Sequence, residues 1–280
     1  MVMELVSEEL QAPAELQIGA ERKTIKLIVS DIEGCLNLDE RTYDYDALSW
    51  IRSANQLARS DNTIPFITVA SGRQHAFVEA IVRMIDGRMP AIFENGCGLF
   101  FPTRNLYDEY EWHPSITEPK VAREYAKVKD VVERVDRLSG ARRVIGKEVL
   151  ITLHPRAPMT VDQLRLLVEQ GLDESGVLAT VTSSASAVDI GPLGIDKGAG
   201  LRWLISMLDT RDDDVELSDI CGIGDSRGDI SLLSIVGLSA APANASAEVQ
   251  SVVTYSSPWP DGRGVVSVIE RCIAINSENR

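Results

Sequence analysis

The chain has 280 residues, 44% of them hydrophobic and 25% charged, the make-up of an ordinary globular protein with room for one large or two moderate domains. Its 42 acidic and 28 basic side chains give a net charge of −14, which argues against nucleic acid or an anionic membrane as the main partner. An anionic small molecule stays open, because a few cations or a metal can reverse the field inside a single cleft.

The first 22 residues are acidic and lack the basic start and apolar middle of a signal peptide, so they read as a mobile leader. Short apolar runs then alternate with helical patterns. Strands are predicted at Ile25–Ser30, Pro65–Ala70, Ala91–Glu94, Leu217–Gly222, Gly237–Ala240 and Val252–Tyr255. Between the first two, Leu48, Ile51, Ala54, Leu57 and Ala58 fall on one helical face behind a cap at Asp44 or Asp46. A second helix, QHAFVEAIVRMID, follows the second strand. The expected architecture is α/β, a doubly wound, mainly parallel sheet.

The middle of the chain changes character. Val121, Tyr125, Val128, Val132 and Val135 line one face of a charged helix. The strand EVLITLHP follows, then a helix that opens with the capping-box pair Thr160 and Gln163, then the strands VLATVTS and SAVDIGP. This reads as an inserted α+β cap domain at residues 104–189, with the core made of residues 23–103 and 190–280.

Four polar segments fall at predicted strand-to-helix junctions, where parallel sheets collect their ligands. They are SDIEG (Asp31, Glu33), VASGR (Ser71, Gly72, Arg73), the helix start at Lys197, and GDSRGD (Asp225, Asp229). Any one alone is ordinary turn or cap chemistry. Together and in this order they suggest phosphoryl transfer. A carboxylate can attack phosphorus and split one hard step into two. Oxygen ligands from Asp31, Asp225 and Asp229 suit Mg²⁺. Lys197 would screen nucleophile and phosphate, Ser71 and the Gly72 backbone would hold phosphate oxygens, and Glu33 would act as general acid and base.

The order DxE, SGR, K, GDxxxD, interrupted by an inserted domain, resembles the haloacid dehalogenase superfamily and its Cof-type sugar-phosphate phosphatase branch. IFENGCGLFF, VDIGPLGIDKG and the closing PANASAEVQSVVTY…DGRGVVSVI are similar to that branch as well. The resemblance implies a Rossmann-like core, Asp31 as nucleophile, Glu33 as acid/base with its backbone carbonyl at the metal, Ser71 on phosphate, Lys197 as charge stabiliser, and Asp225 and Asp229 at the metal. Two positions depart from the pattern: Glu33 stands where Asp is usual, and Gly228 where Asn is usual.

Arg73 and Asn95 are further candidates for substrate contact, and Lys147, His154 and Arg156 are the cap's candidates. His75 and His113 read as surface residues. The four cysteines, Cys35, Cys97, Cys221 and Cys272, form no CxxC pair and read as reduced thiols of a cytoplasmic protein. The expected function is a Mg²⁺-dependent phosphatase acting on a small phosphorylated metabolite, a sugar phosphate or phosphorylated sugar-acid, with neither nucleic acid nor membrane as partner. A phosphosugar mutase and a weakly active or non-catalytic phosphometabolite-binding homologue are the alternatives.

Overall fold

The structure is a computed structural model and describes residues 24–37, 42–104, 109–209 and 215–279; the expected leader lies outside them. In chain order it opens with β1 (Leu27–Ser30), α1 (Tyr45–Leu57), β2 (Phe66–Val69) and α2 (His75–Met84). The strands β3 (Ala91–Phe93), β4 (Gly98–Phe100) and β5 (Tyr110–Trp112) follow as an antiparallel trio. Next come α3 (Pro114–Thr117), α4 (Pro119–Ser139), β6 (Arg142–Arg143), β7 (Ile151–His154), α5 (Val161–Glu174), β8 (Thr180–Ser183) and β9 (Val188–Gly191). The chain closes with α6 (Lys197–Asp209), β10 (Ile220–Ile223), α7 (Ile230–Leu233), β11 (Leu238–Ala241), α8 (Ala247–Gln250), β12 (Tyr255–Ser256) and α9 (Asp261–Glu278).

The main sheet is parallel in the order β12-β11-β10-β1-β2, and a parallel bridge from Ala70 to Ile92 carries β3 onto its edge. Helices α1, α2 and α9 cover one face, and α6 and α7 the other. That double cover explains why β1 reads as an unbroken apolar run: Leu27, Ile28 and Val29 are all fully buried. Each such side chain contributes about 1.5–3 kcal/mol.

The insert carries its own core. The antiparallel sheet β6-β7-β9-β8 packs Ile151, Leu153, Val188 and Ile190 against Val128, Val132 and Val135 of α4 and against Leu164 and Val168 of α5. Thr160 accepts from the Gln163 amide while the Gln163 side chain accepts from the Thr160 amide, the reciprocal cap expected from sequence. At the margins of the insert, β5 pairs with β4 of the core side, and β9 runs to Gly191.

Local differences from expectation have plain causes. Leu57 is exposed, because the buried side of α1 turns through Asn55, whose amide bridges Ile67 and Ile85. The expected strand at Leu217 begins only at Ile220, since Leu217–Asp219 is a 3₁₀ turn closed by the Asp219 carboxylate on the Glu216 amide. The last strand is displaced to Tyr255–Ser256, because Thr254 is tied by side chain and backbone to Ser239.

Candidate active site

Strand β1 lies between β10 and β2, and the register pairs Ser30 with both Ile223 and Val69. The residues just past three neighbouring carboxyl ends must therefore meet. The Asp31 amide donates to Ile223 O (2.8 Å), and the Ala70 amide donates to Ser30 O (2.9 Å). Asp31, Ser71 and Asp225 thus converge by strand order alone, at the position where an open α/β sheet forms its crevice.

Lys197, the first residue of α6, reaches into this crevice. Its Nζ lies 2.8 Å from Asp31 Oδ1 and 2.6 Å from Asp229 Oδ1. Burial works against its charge, but Asp229 and Asp31 outweigh that and hold the ammonium charged beyond the ordinary lysine range. Asp31 shows the reverse balance. Burial, then the neighbouring Asp229, push its carboxyl well above the usual range, and Lys197 only partly opposes them. Oxygens of Asp31, Asp225 and Asp229 lie within 4.8 Å of one another. Three carboxylates and one ammonium leave two negative charges, so the donor set, all hard oxygen, fits one divalent cation of the Mg²⁺ type.

The three acids are not equivalent. Asp229 takes Lys197 on Oδ1, and on Oδ2 it takes the Asp225 amide (3.1 Å), the Ser226 amide (2.9 Å) and the Ser226 hydroxyl (3.2 Å). Its oxygens are engaged in shaping the loop and orienting Lys197. Ser226 supplies the side-chain partner that Gly228 lacks. Gly34 explains the glycine after the twin acids: its φ is +72°, and an added Cβ would lie 2.2 Å from Asp225 Oδ2.

Glu33 finds its partners outside the acidic trio. Its Oε1 accepts from Arg73 Nε (2.7 Å) and its Oε2 from the Ser71 hydroxyl (3.0 Å). The structure thus joins Glu33, Ser71 and Arg73 into one group beside the Asp31–Lys197–Asp225–Asp229 group. Gly72 sits against Asn95, whose amide donates to Ser71 O (3.0 Å).

Asn95 also reaches the insert, donating from Nδ2 to Asp189 Oδ2 (3.1 Å). Asp189 in turn accepts from Thr152, and Lys147 Nζ bonds Thr152 and lies 3.6 Å from Asp189 Oδ1. Beside it, Glu94 is almost fully buried and takes three backbone amides of the insert, Glu148 (2.9 Å), Val149 (2.9 Å) and Leu150 (2.8 Å). A narrow cleft between the two parts is lined in part by Asn95, Thr182, Asp189, Asp196, Lys197 and Gly228.

Asp189, Glu94 and Thr152 were not singled out from sequence. The signal for Asp189 and Thr152 was the strand alternation itself, which sets Thr152, Asp189 and Thr182 on the face opposite Ile151, Val188 and Ile190. His154 instead contacts Ser186 O at 2.9 Å. Neither expected surface histidine is fully exposed: His75 packs against Phe93, Phe100 and Tyr110, and His113 against Trp203. His75 stands near Glu79 and Glu109, but both acids pair with Arg83.

The sequence profile of a haloacid dehalogenase-like hydrolase matches residues 160–269. The phosphoglycolate phosphatase of Metallosphaera sedula is 25% identical over 251 residues, covering 89% of this chain and 100% of its own. That of Sulfolobus acidocaldarius is 24% identical over 262 residues, covering 89% and 97%. The chain is thus similar to the haloacid dehalogenase-like hydrolases, the resemblance expected from its motifs. Solved structures agree on the fold. A Thermoplasma acidophilum protein superposes with a TM-score of 0.67 at 19% identity, covering 89% of this chain and 98% of its own. The sucrose-phosphatase of Synechocystis, solved with sucrose and phosphate, superposes at 0.65 with 15% identity, covering 89% and 98%. The expected resemblance, the doubly wound α/β core with its α+β insert, and the assignment as a phosphatase all hold.

Proposed function

We propose that the chain is a Mg²⁺-dependent phosphomonoesterase acting in the cytoplasm on a small sugar phosphate or phosphorylated sugar-acid through a phospho-aspartate on Asp31. In this proposal residues 23–103 and 190–280 carry the chemistry. Residues 104–189, of which β5 stays with the core-side strands, serve as the cap that excludes water. The observation that carries the reading is the convergence of Asp31, Lys197, Asp225 and Asp229 at adjoining strand ends. The four free, buried cysteines support a reducing compartment, and among the described residues no helix is long and apolar enough to cross a membrane.

Asp31 Oδ1 is held by Lys197 and by the Ile32 amide (2.7 Å), which leaves Oδ2 as the attacking oxygen. Attack forms the Asp31–phosphorus bond as the ester oxygen departs, taking a proton from Glu33. Glu33 then takes a proton from water, the water oxygen bonds phosphorus, and the Asp31–phosphorus bond breaks to give inorganic phosphate. Arg73 and Ser71 position Glu33, while the Gly72 backbone and Asn95 flank the phosphate. Asp31 and Asp225 would hold the cation, with Asp229 fixing their surroundings; when bound, the ion supplies positive charge that offsets carboxylates and phosphate together.

One observation favours a second reading, a phosphometabolite-binding homologue of low turnover: the Ser71 hydroxyl is committed to Glu33 instead of standing free for phosphate. Phosphate release from a panel of phosphomonoesters with Mg²⁺, wild type against Asp31→Asn, tests both. Release by wild type alone is the expected result. Equal release by the two proteins would remove the mechanism, and binding without release by either would favour the second reading.

A further inference from the structure

Sheet β6-β7-β9-β8 buries one face in the insert and turns the other towards the catalytic crevice. On that outer face Asp189 sits in the middle of a row, directly opposite Thr152 on β7 and Thr182 on β8. Asp189 and Thr182 line the cleft together with Asn95 and Lys197. A substrate whose phosphorus meets Asp31 therefore extends its leaving group along this row.

The charges on the wall are unequal. Among the described residues lining the cleft, Lys197 is the one cation, and both Asp31 and Asp229 already occupy it. Asp189 and Asp196 are carboxylates; Asp196 accepts the Ala199 amide (2.8 Å) at the start of α6. Lys147 compensates Asp189 on the same face, with its side chain only 5% exposed and its ammonium bonded to Thr152. That cation is already engaged by Thr152 and Asp189 and does not line the cleft. What the cleft receives is an acceptor, Asp189, which is 13% exposed, and a threonine hydroxyl that can donate or accept.

A sugar or polyol hydroxyl can donate to Asp189 and exchange with Thr182. A carboxylate can only accept, and would stand against Asp189 and Asp196 with no free cation on the wall; like charges so placed are strongly disfavoured. We infer that Asp189 is a specificity-determining residue that selects phosphomonoesters with neutral hydroxyls on the leaving group and turns away those with a carboxylate. The inference rests on the phosphomonoesterase reading and narrows its substrate class to phosphorylated sugars and polyols.

Glycerol 3-phosphate and 3-phosphoglycerate form a matched pair, differing only by CH₂OH against COO⁻ at the far end. Each is measured as an inhibitor of p-nitrophenyl phosphate hydrolysis with Mg²⁺, a comparison defined whether or not either is turned over. Wild type is expected to bind glycerol 3-phosphate at least roughly tenfold more tightly. Asp189→Asn is expected to shrink that ratio by roughly tenfold, because the amide removes the repulsion and donates to a carboxylate. Thr182→Val, which keeps the fold's volume, should weaken the polyol more than the acid. Equal or tighter binding of 3-phosphoglycerate by wild type overturns the inference without need of a variant. So does a ratio unmoved in a folded Asp189→Asn, or failure of both compounds to inhibit. If Asp31-dependent release of p-nitrophenol persists in those cases, the specificity claim alone has failed. No release of p-nitrophenol at all removes the enzymatic reading and this inference with it.

Discussion

Glu94 offers the sharpest test of how the two parts are joined. Its Oε2 accepts from the Val149 and Leu150 amides and its Oε1 from the Glu148 amide. In Glu94→Gln the carbonyl oxygen can keep the Val149–Leu150 pair, but the NH₂ then faces the Glu148 N–H. One donor is left unsatisfied at about 1–3 kcal/mol, and the surviving bonds lose their charge assistance, so the expected total is about 2–4 kcal/mol. Urea unfolding followed by tryptophan fluorescence reads this directly; with a slope of about 3 kcal/mol/M the midpoint falls by roughly 1 M. The backbone supplies an internal control. Glu94 has φ +47°, a region costing a non-glycine residue about 1–2 kcal/mol. Glu94→Gly should therefore be more stable than Glu94→Ala, the reverse of the usual order. A Glu94→Gln loss under about 0.5 kcal/mol, or Ala more stable than Gly, would refute the reasoning.

Other outcomes follow from the crevice. Lys197→Ala strips the cation from two buried carboxylates and should cost about 3–5 kcal/mol in chemical denaturation besides abolishing phosphate release; a shift below 1 kcal/mol would contradict the buried pairing. Gly34→Ala forces Asp225 aside, and an ångström of displacement is expected to raise the Mg²⁺ concentration needed for half-maximal rate by roughly tenfold or more, measured by Mg²⁺ titration of turnover. Glu33→Asp shortens the side chain and withdraws it from Arg73 and Ser71, which position it in the proposed mechanism, so kcat should fall by roughly tenfold or more; a rise in kcat would instead favour the second reading, in which Glu33 holds the site at low turnover. EDTA should abolish turnover and added Mg²⁺ restore it, and undiminished rates in chelator would contradict the carboxylate cation site.

Much of the crevice was legible because its parts are local motifs at strand ends. Once β1, β2 and β10 are read as parallel neighbours, Asp31, Ser71 and Asp225 have nowhere to go but together. Lys197 is legible for the same reason, as the first residue of a helix after a strand. The orientation of Glu33 was not, since it is decided by Arg73, forty residues away in sequence. The Asn95–Asp189 and Glu94–Val149 contacts span 94 and 55 residues, and no periodicity announces them. Asp189 was hidden in plain alternation. SAVDIGP reads as a strand whatever the middle residue does, and only the neighbouring strands give its carboxylate a purpose.

The segment Glu94–Asn95 then takes on a meaning beyond its family likeness. Both residues hold left-handed φ values, +47° and +53°, without being glycine, a conformation that persists only where surroundings fix it more strongly than it strains. The surroundings are the two halves of the molecule. Glu94 fastens the insert at Glu148–Leu150, while Asn95 bonds the core-side loop at Ser71 with its backbone and Asp189 of the insert with its side chain. Any shift of the insert is thus felt at the loop beside Asp31 within two residues. The proposed selection by Asp189 and the proposed attack by Asp31 would share one strained joint, so a substitution at Asn95 should change both substrate preference and rate, where one at Asp189 changes chiefly preference.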